Sequence, residues 1–171
     1  MGNMSADNLK NNVSDYQRAY WWDIIIPNLI GGGDAGALEV RAQSTQVPGR
    51  SFGEILIPYK GSAGFKVPGK LVMSHVWPCV FVEGLDRKVF DAVLGWKQAV
   101  TDARTGKGGP DSVIKKDIYL RLTDGQGNVT NKIKLVGCYP QAVDDVPVAY
   151  DTEAVIMYNV TFSYDYWESN N

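Results

Sequence analysis

The chain has 171 residues, 44% of them hydrophobic and 21% charged, with 17 basic and 19 acidic residues and a formal net charge of −2. That length favours one domain able to bury a core without staples. The near-balance of charge excludes a protein that grips nucleic acid through its phosphates, which needs a basic surplus on one face. Two cysteines, Cys79 and Cys138, exclude a disulfide framework and read as small core residues in a reducing compartment. No apolar run reaches membrane-spanning length, and the opening MGNMSADNLKNN is too polar for a signal peptide, so a cytoplasmic start is expected.

In chain order, residues 1–19 are polar with scattered charge and are expected to form a tail that is loose in the monomer, while 20–171 make a single domain. Tyr20–Pro27, YWWDIIIP, predicts a strand that ends at proline. Asn28–Ala37 is a glycine-rich loop without the Lys-Ser/Thr of a phosphate-cradling loop. Leu38–Val47 alternates, with Leu38, Val40, Ala42 and Ser44 against Glu39, Arg41, Gln43 and Thr45, and predicts a strand with one polar face. Ser51–Pro68, SFGEILIPYKGSAGFKVP, is cut by Gly53, Gly61 and Gly64. It predicts an extended hairpin or arm, 48–69 with its flanks, that leaves Phe52, Ile55, Ile57, Tyr59 and Phe65 more exposed than apolar side chains favour. Such arms usually meet a partner, and the alternative is a core hairpin of the same subunit.

Lys70–Val82 predicts another strand, with Pro78 at a bulge or edge. Leu85, Val89, Ala92, Val93, Trp96 and Val100 recur at helical spacing, so a helix is expected at about 86–102, capped by Asp86. Gly95 within it points to close packing against the sheet. Ala103–Ser112 is a flexible loop. Val113–Thr123 and Val129–Val136 form strands around a turn at Asp124–Asn128, and Gly137–Pro140 closes the second. After a loop at Gln141–Asp151, Thr152–Trp167 alternates again. Ala154, Ile156, Tyr158, Val160, Phe162, Tyr164 and Tyr166 share one face. One strand of that length spans roughly 50 Å at about 3.3 Å per residue; the alternative is two shorter strands broken near Asn159. The fold class is therefore mainly β: a sandwich or barrel of six to eight antiparallel strands with one helix packed on its side.

Enzyme chemistry has little to stand on. His75 is the single histidine and sits in a predicted strand, four residues before Cys79 on the same side but at a distance that gives a Cys–His pair little support. One histidine and two separated cysteines do not make a tetrahedral zinc site. Asp144 and Asp145 read as solvated loop acids. Trp21, Trp22, Trp77, Trp96 and Trp167 could form a sugar platform, but four of them fit core or interface faces equally well.

The order of signals has a familiar pattern: IPYKG (Ile57–Gly61), PGK (Pro68–Lys70), a strand bearing Trp77, the helix DRKVFDAVLGWKQAV, KLVGCYPQAV (Lys134–Val143) and the closing VTFSYDYW (Val160–Trp167). From about Tyr20 to Trp167 the chain resembles the tail tube protein of contractile-tailed bacteriophages, a family related to the type VI secretion tube protein and to the inner tubes of phage-like particles. The resemblance implies a structural subunit with no enzymatic activity, cofactor or metal. Its copies would form hexameric rings, joined edge to edge into a continuous inner barrel, that stack into a rigid hollow tube. The implied setting is a virion tail assembled in the bacterial host cytoplasm. The implied partners are the chain itself, a contractile sheath protein, baseplate hub and tail terminator proteins, a tape-measure protein inside the tube, and DNA that passes without specific binding during genome delivery. Six copies at −2 each carry roughly −12, a sign that favours sliding of DNA over sticking. Within this frame Phe52, Ile55, Ile57, Tyr59, Phe65, Tyr164, Tyr166 and Trp167 are candidate inter-subunit contacts, and Glu39, Arg41, Gln43 and Thr45 are candidates for the lumen. The alternatives are an inner tube of a type VI-like or extracellular contractile injection system, and a monomeric carbohydrate-binding β-sandwich.

Overall fold

The computed structural model describes residues 15–170. Its alternating stretches become nine strands, all paired antiparallel: β1 (Trp22–Ile25), β2 (Ala42–Thr45), β3 (Ser51–Tyr59), β4 (Ser62–Val72), β5 (Val76–Val82), β6 (Lys116–Thr123), β7 (Val129–Val143), β8 (Met157–Ser163) and β9 (Tyr166–Asn170). Seven of them form one sheet in which β1, β6, β7, β8, β5 and β2 lie side by side and β9 also pairs with β7. β3 and β4 form a two-stranded sheet of their own.

The long strand is β7, not the last one. Its 15 residues run straight through Gly137 and Pro140, where sequence punctuation predicts an end. One half of β7 pairs with β9, from Lys132↔Asn170 to Val136↔Tyr166, and the other pairs with β8, from Tyr139↔Ser163. The register is the same on both sides of the break, so β8 and β9 are two short strands in one line, broken by a kink at Tyr164–Asp165, five residues later than the alternative break near Asn159. At the kink the Tyr164 N–H leaves β7 and donates to the His75 carbonyl (3.1 Å), while the Asp165 N–H still donates to Val136 (2.9 Å). Gly137 makes room for this. Its φ is +71°, and a β-carbon there would lie 2.3 Å from the Asp165 carboxylate, which Lys115 holds at 2.9 Å. The positive φ favours glycine, and a β-carbon there would push the Asp165 carboxylate out of its place against Lys115.

The kink divides the sheet into two wings that share β7. Ile24, Ile118, Leu120, Ile133 and Leu135 from one wing and Trp77, Cys79, Phe81, Val160 and Phe162 from the other are buried in a single core. Period-two alternation put these side chains on one face of each strand, and the bend turns the two faces toward each other.

Among the described residues three α-helical segments accompany the sheet, α1 (Ala35–Arg41), α2 (Lys88–Val100) and the single turn α3 (Asp111–Ile114), together with a 3-10 turn at Ile30–Gly32. α2 is the predicted helix and buries Val89, Ala92, Val93 and Trp96, with the Trp96 indole N–H donating to the Ile114 carbonyl at 2.9 Å. Two details differ from expectation. Leu85 stands fully exposed before the helix. The free N–H groups of its first turn are taken by Glu83, whose carboxylate accepts from Val89 (3.3 Å) and Phe90 (2.7 Å). Asp86, the expected cap, is instead gripped by both Arg41 guanidinium nitrogens at 2.7 and 2.6 Å.

α1 overturns the reading of Leu38–Val47 as one strand. Asp34 caps this helix by accepting from the Ala37 N–H at 3.2 Å. Helical spacing sends Leu38 into the core at 0% exposure and Val40 into solvent at 86%, although period two puts both on one face. The glycines before α1 serve packing. A β-carbon on Gly31 (φ +81°) would meet the Gly95 backbone at 2.9 Å, so Gly95 lets α2 approach this loop and not the sheet. Lys70–Val82 is also two strands, separated where His75 adopts φ +54°. Of the expected tail, residues 1–14 lie outside the described residues. Gln17 is docked: its amide donates to the Thr123 carbonyl at 2.8 Å and accepts from the Thr130 hydroxyl at 3.0 Å.

Candidate assembly surfaces

Strand edges come first, because an unpaired edge presents a row of free N–H and C=O groups. Among the described residues β1 pairs only with β6, β2 only with β5 and β9 only with β7, and each strand of the β3–β4 hairpin pairs only with the other. The sheet therefore ends in open edges on both wings.

The hairpin is the second surface. Its register sets Ile55 opposite Val67 and Ile57 opposite Phe65, so these four share a face, while Glu54, Leu56, Lys66 and Pro68 share the other. The Glu54–Lys66 ion pair lies on that second face. Phe52, Ile55, Ile57, Tyr59 and Phe65 are all exposed, Phe65 at 56%, and Leu56, Leu71 and Val72, which the sequence reading did not single out, are exposed with them. Close backbone approach shapes the arm: a β-carbon on Gly69 would lie 2.9 Å from the Gly53 carbonyl oxygen.

The four lumen candidates do not form one face, because α1 takes two of them out of the strand. Glu39 accepts from the Ile26 N–H at 2.7 Å, and Arg41 is bound to Asp86 and Glu83. Gln43 is exposed on β2, and the Thr45 hydroxyl donates to the Pro78 carbonyl at 2.9 Å. A different polar face, outside the four lumen candidates, is better formed. On the side of β1, β6, β7 and β9 away from the core, Arg121 forms a bidentate pair with Asp23 (2.6 and 2.6 Å), Lys134 binds Asp117 (2.9 Å) opposite Glu168, and the Lys132 ammonium lies 4.4 Å from the centre of the Tyr119 ring. Each lysine and arginine of this face therefore has a carboxylate or aromatic partner. The signal was the polar alternation of Asp117, Tyr119 and Arg121 against Lys132 and Lys134.

Tyr164 is corrected as a contact residue. It is 1% exposed, with its hydroxyl 3.3 Å from the Ser74 hydroxyl, because it is the last inward residue before the kink. The kink also reverses the alternation, so Trp167 packs partly against the core while Tyr166 stays exposed on the open edge of β9. Trp77 and Trp96 are fully buried and so cannot belong to a sugar platform, while Trp21, Trp22 and Trp167 are half-buried. His75 is exposed, whereas Cys79 is in the core. Burial pushes both the Cys79 and Cys138 thiols up to about 12, so they are protonated and inert at neutral pH. Among the described residues no group of three histidine, cysteine or carboxylate side chains is placed to hold a metal ion.

No protein-family model matches the chain. The tail tube protein of Serratia phage KSP90 is 26% identical to it over 130 residues, covering 73% of this chain and 72% of that protein. In structure it is similar to a chain of the anti-feeding prophage tube-terminating cap (TM-score 0.67, 16% identity, 92% of this chain and 93% of that one). It is similar as well to a chain of the sheath–tube terminator of an extracellular contractile injection system, PVC (TM-score 0.68, 15% identity, 93% and 100%). A chain of the PVC sheath–tube complex also matches (TM-score 0.62, 15% identity, 98% and 99%). The chain, with its kinked two-wing sheet, open edges and projecting hairpin, is thus similar in sequence to a phage tail tube protein and shares its fold with chains of the anti-feeding prophage and PVC assemblies.

Proposed function

We propose that this protein is the structural subunit of the inner tail tube of a contractile phage, a single domain over residues 20–171 with an assembly arm at 48–69. Copies join edge to edge into hexameric rings, and rings stack into a hollow tube through which DNA passes during genome delivery. The observation that carries this reading is the set of open edges on β1, β2 and β9: a ring satisfies each by pairing it with a neighbour. Head-to-tail contacts close into rings when the rotation closes and extend into filaments when rings stack. The sheath, baseplate hub, tail terminator and tape-measure protein are the expected partners, and the virion is the expected location.

The ion-paired outer face of β1, β6, β7 and β9 replaces Glu39, Arg41, Gln43 and Thr45 as our candidate for the lumen. Asp23, Asp117 and Glu168 balance Arg121, Lys132 and Lys134 there. Cations already bound to carboxylates and an aromatic ring offer little to a passing phosphate, and a surface that releases few counterions does not hold DNA.

Electron microscopy of the purified protein at high concentration tests the proposal. Rings or tubes of uniform diameter are the expected outcome; a monodisperse monomer that never assembles overturns it. A second reading, the inner tube of an extracellular or type VI-like contractile injection system, draws on the fold likeness to the PVC and anti-feeding prophage assemblies. The presence of DNA inside native particles separates it from the phage reading, which the sequence likeness favours.

A further inference from the structure

The helix α2 does not fill the sheet it covers. Phe90, Val93, Leu94 and Lys97 on the helix and Val143 and Tyr158 on β7 and β8 line an open apolar cleft of about 140 Å³. Val143 and Tyr158 are also the points where the chain leaves the sheet and returns to it. Between them residues 144–156 form a segment without regular structure, tied at its ends by the Asp144 N–H to the Asn159 carbonyl (3.0 Å) and by the Glu83 N–H to the Ile156 carbonyl (2.9 Å). Long irregular segments in a compact domain are usually functional. This one exposes Val148, Tyr150, Val155 and Ile156 and carries Asp144, Asp145, Asp151 and Glu153 with no basic residue. The hairpin has the opposite character, with Lys60, Lys66 and Lys70 against the single acid Glu54 and with Ile55, Ile57 and Phe65 exposed along one face.

We propose that the cleft between α2 and Val143/Tyr158, with its acidic flap 144–156, is the receptor for the β3–β4 hairpin of a second copy of this chain. The apolar face of the incoming hairpin seats on Phe90, Leu94 and Tyr158, and its lysines meet the acids of the flap. Charge complementarity fixes both the partner and the direction, since neither surface can dock on its own kind without placing like charges together. A patch on one copy that fits a different patch on the next is a heterologous contact, which propagates. The inference rests on the self-assembly proposed above and supplies its specificity.

Charge swapping tests it. K60E/K70E and D144K/D145K/D151K are each expected to lower the pelletable, tube-forming fraction by at least about tenfold at low salt, and the combined variant is expected to recover most of it. Circular dichroism checks that each variant is folded. Independently of folding changes in the charge variants, mixing an Ile57→Cys protein with a Leu94→Cys protein under oxidation should give a disulfide-linked dimer in assembled material, with Cys79 and Cys138 too buried to compete. Normal assembly by either reversed variant, absence of recovery in the folded combination, or absence of the Ile57–Leu94 cross-link overturns the receptor assignment. These outcomes are distinct from a failure of the assembly proposal, in which the unmodified protein itself forms no rings or tubes.

Discussion

The Arg50 guanidinium lies 4.0 Å from the centre of the Trp167 ring and donates to the Trp167 carbonyl at 2.7 Å. The indole N–H of Trp167 returns a bond to the Gly49 carbonyl at 3.4 Å. The root of the projecting hairpin is thus fastened to β9, an edge of the main sheet. An exposed cation–π contact contributes about 0.5–1 kcal/mol, so Arg50→Ala should barely move the melting temperature. It should instead speed hydrogen exchange in the root of the hairpin, at Ser51–Gly53 and Lys70–Val72. Arg50→Lys should not restore protection, because an ammonium lacks the flat guanidinium that stacks on the ring. Unchanged exchange in both variants would remove Trp167 as the anchor.

Ile57 and Phe65 face each other across the hairpin and contribute nothing to the buried core. Replacing either with aspartate should therefore cost the monomer only the cross-strand pair and strand propensity, about 1 kcal/mol. The same change places a charge in any interface that covers this face, where an unpaired buried charge is prohibitive. The expected result is a folded monomer that forms no tubes, read by melting temperature and electron microscopy side by side. Normal tubes from Ile57→Asp and Phe65→Asp would show that this face stays open to solvent in the assembly.

Gly31 meets Gly95 backbone to backbone, with φ +81° at Gly31 and no room for a β-carbon. Gly31→Ala combines a left-handed backbone with a contact of 2.9 Å to the α2 backbone, and should destabilise the fold by about 1–3 kcal/mol. Gly32 provides the control. It also has positive φ, but nothing lies near its missing β-carbon, so Gly32→Ala carries only the backbone cost. Equal losses in the two variants, measured by urea denaturation, would assign the whole effect to φ and none to helix packing.

Where one rule of periodicity operated alone, the chain was legible. Ile118 and Leu120 alternate without interruption, and β6 forms around them; Val89, Ala92, Val93 and Trp96 repeat at helical spacing, and α2 buries those four. Where two rules competed, local pattern gave the wrong answer. Leu38, Val40 and Ala42 satisfy period two, but the Asp34 cap and the chain's need to cross from β1 to β2 make Ala35–Arg41 helical. Gly137 and Pro140 look like the end of a strand, yet β7 runs on through them and pairs with β9 along one half and β8 along the other. The exposed hairpin was visible because apolar residues cut by glycines have few other uses. The ion pairing of the outer face was hidden, because Asp23 and Arg121 are 98 residues apart and meet only through the β1–β6 register.

Glu83 holds the start of α2. Its side chain is only 7% exposed, and its carboxylate accepts from the Gly84, Val89 and Phe90 N–H groups and from Arg41. Glu83→Ala leaves helix donors without a partner, and removal of a cap costs about 0.5–2 kcal/mol. Asp86→Ala, next to the helix but not capping it, should cost less. The ranking can be read from thermal melts of the two variants at neutral pH; a larger loss for Asp86→Ala would return the capping role to the residue the sequence first suggested.

The acids around α1 and α2 fix the direction of the response to pH. Hydrogen bonds from Arg41 hold the Asp86 carboxyl below its ordinary value of 3.8, and those from Lys88 do the same for Asp34. At the β6–β7 turn the Asn128 side chain lowers Asp124 in the same way. A carboxyl whose folded value is depressed stabilises the fold fully above its unfolded value, and that contribution fades as pH falls through the folded one. The melting temperature should therefore be flat above about pH 5 and fall progressively below the ordinary carboxylate range. Asp86→Asn cannot take up the proton, so its curve should start lower at neutral pH and fall less steeply in acid. Parallel curves for Asp86→Asn and the unmodified protein would mean that the Arg41–Asp86 pair, though bidentate, is screened by solvent to no effect, as exposed ion pairs often are.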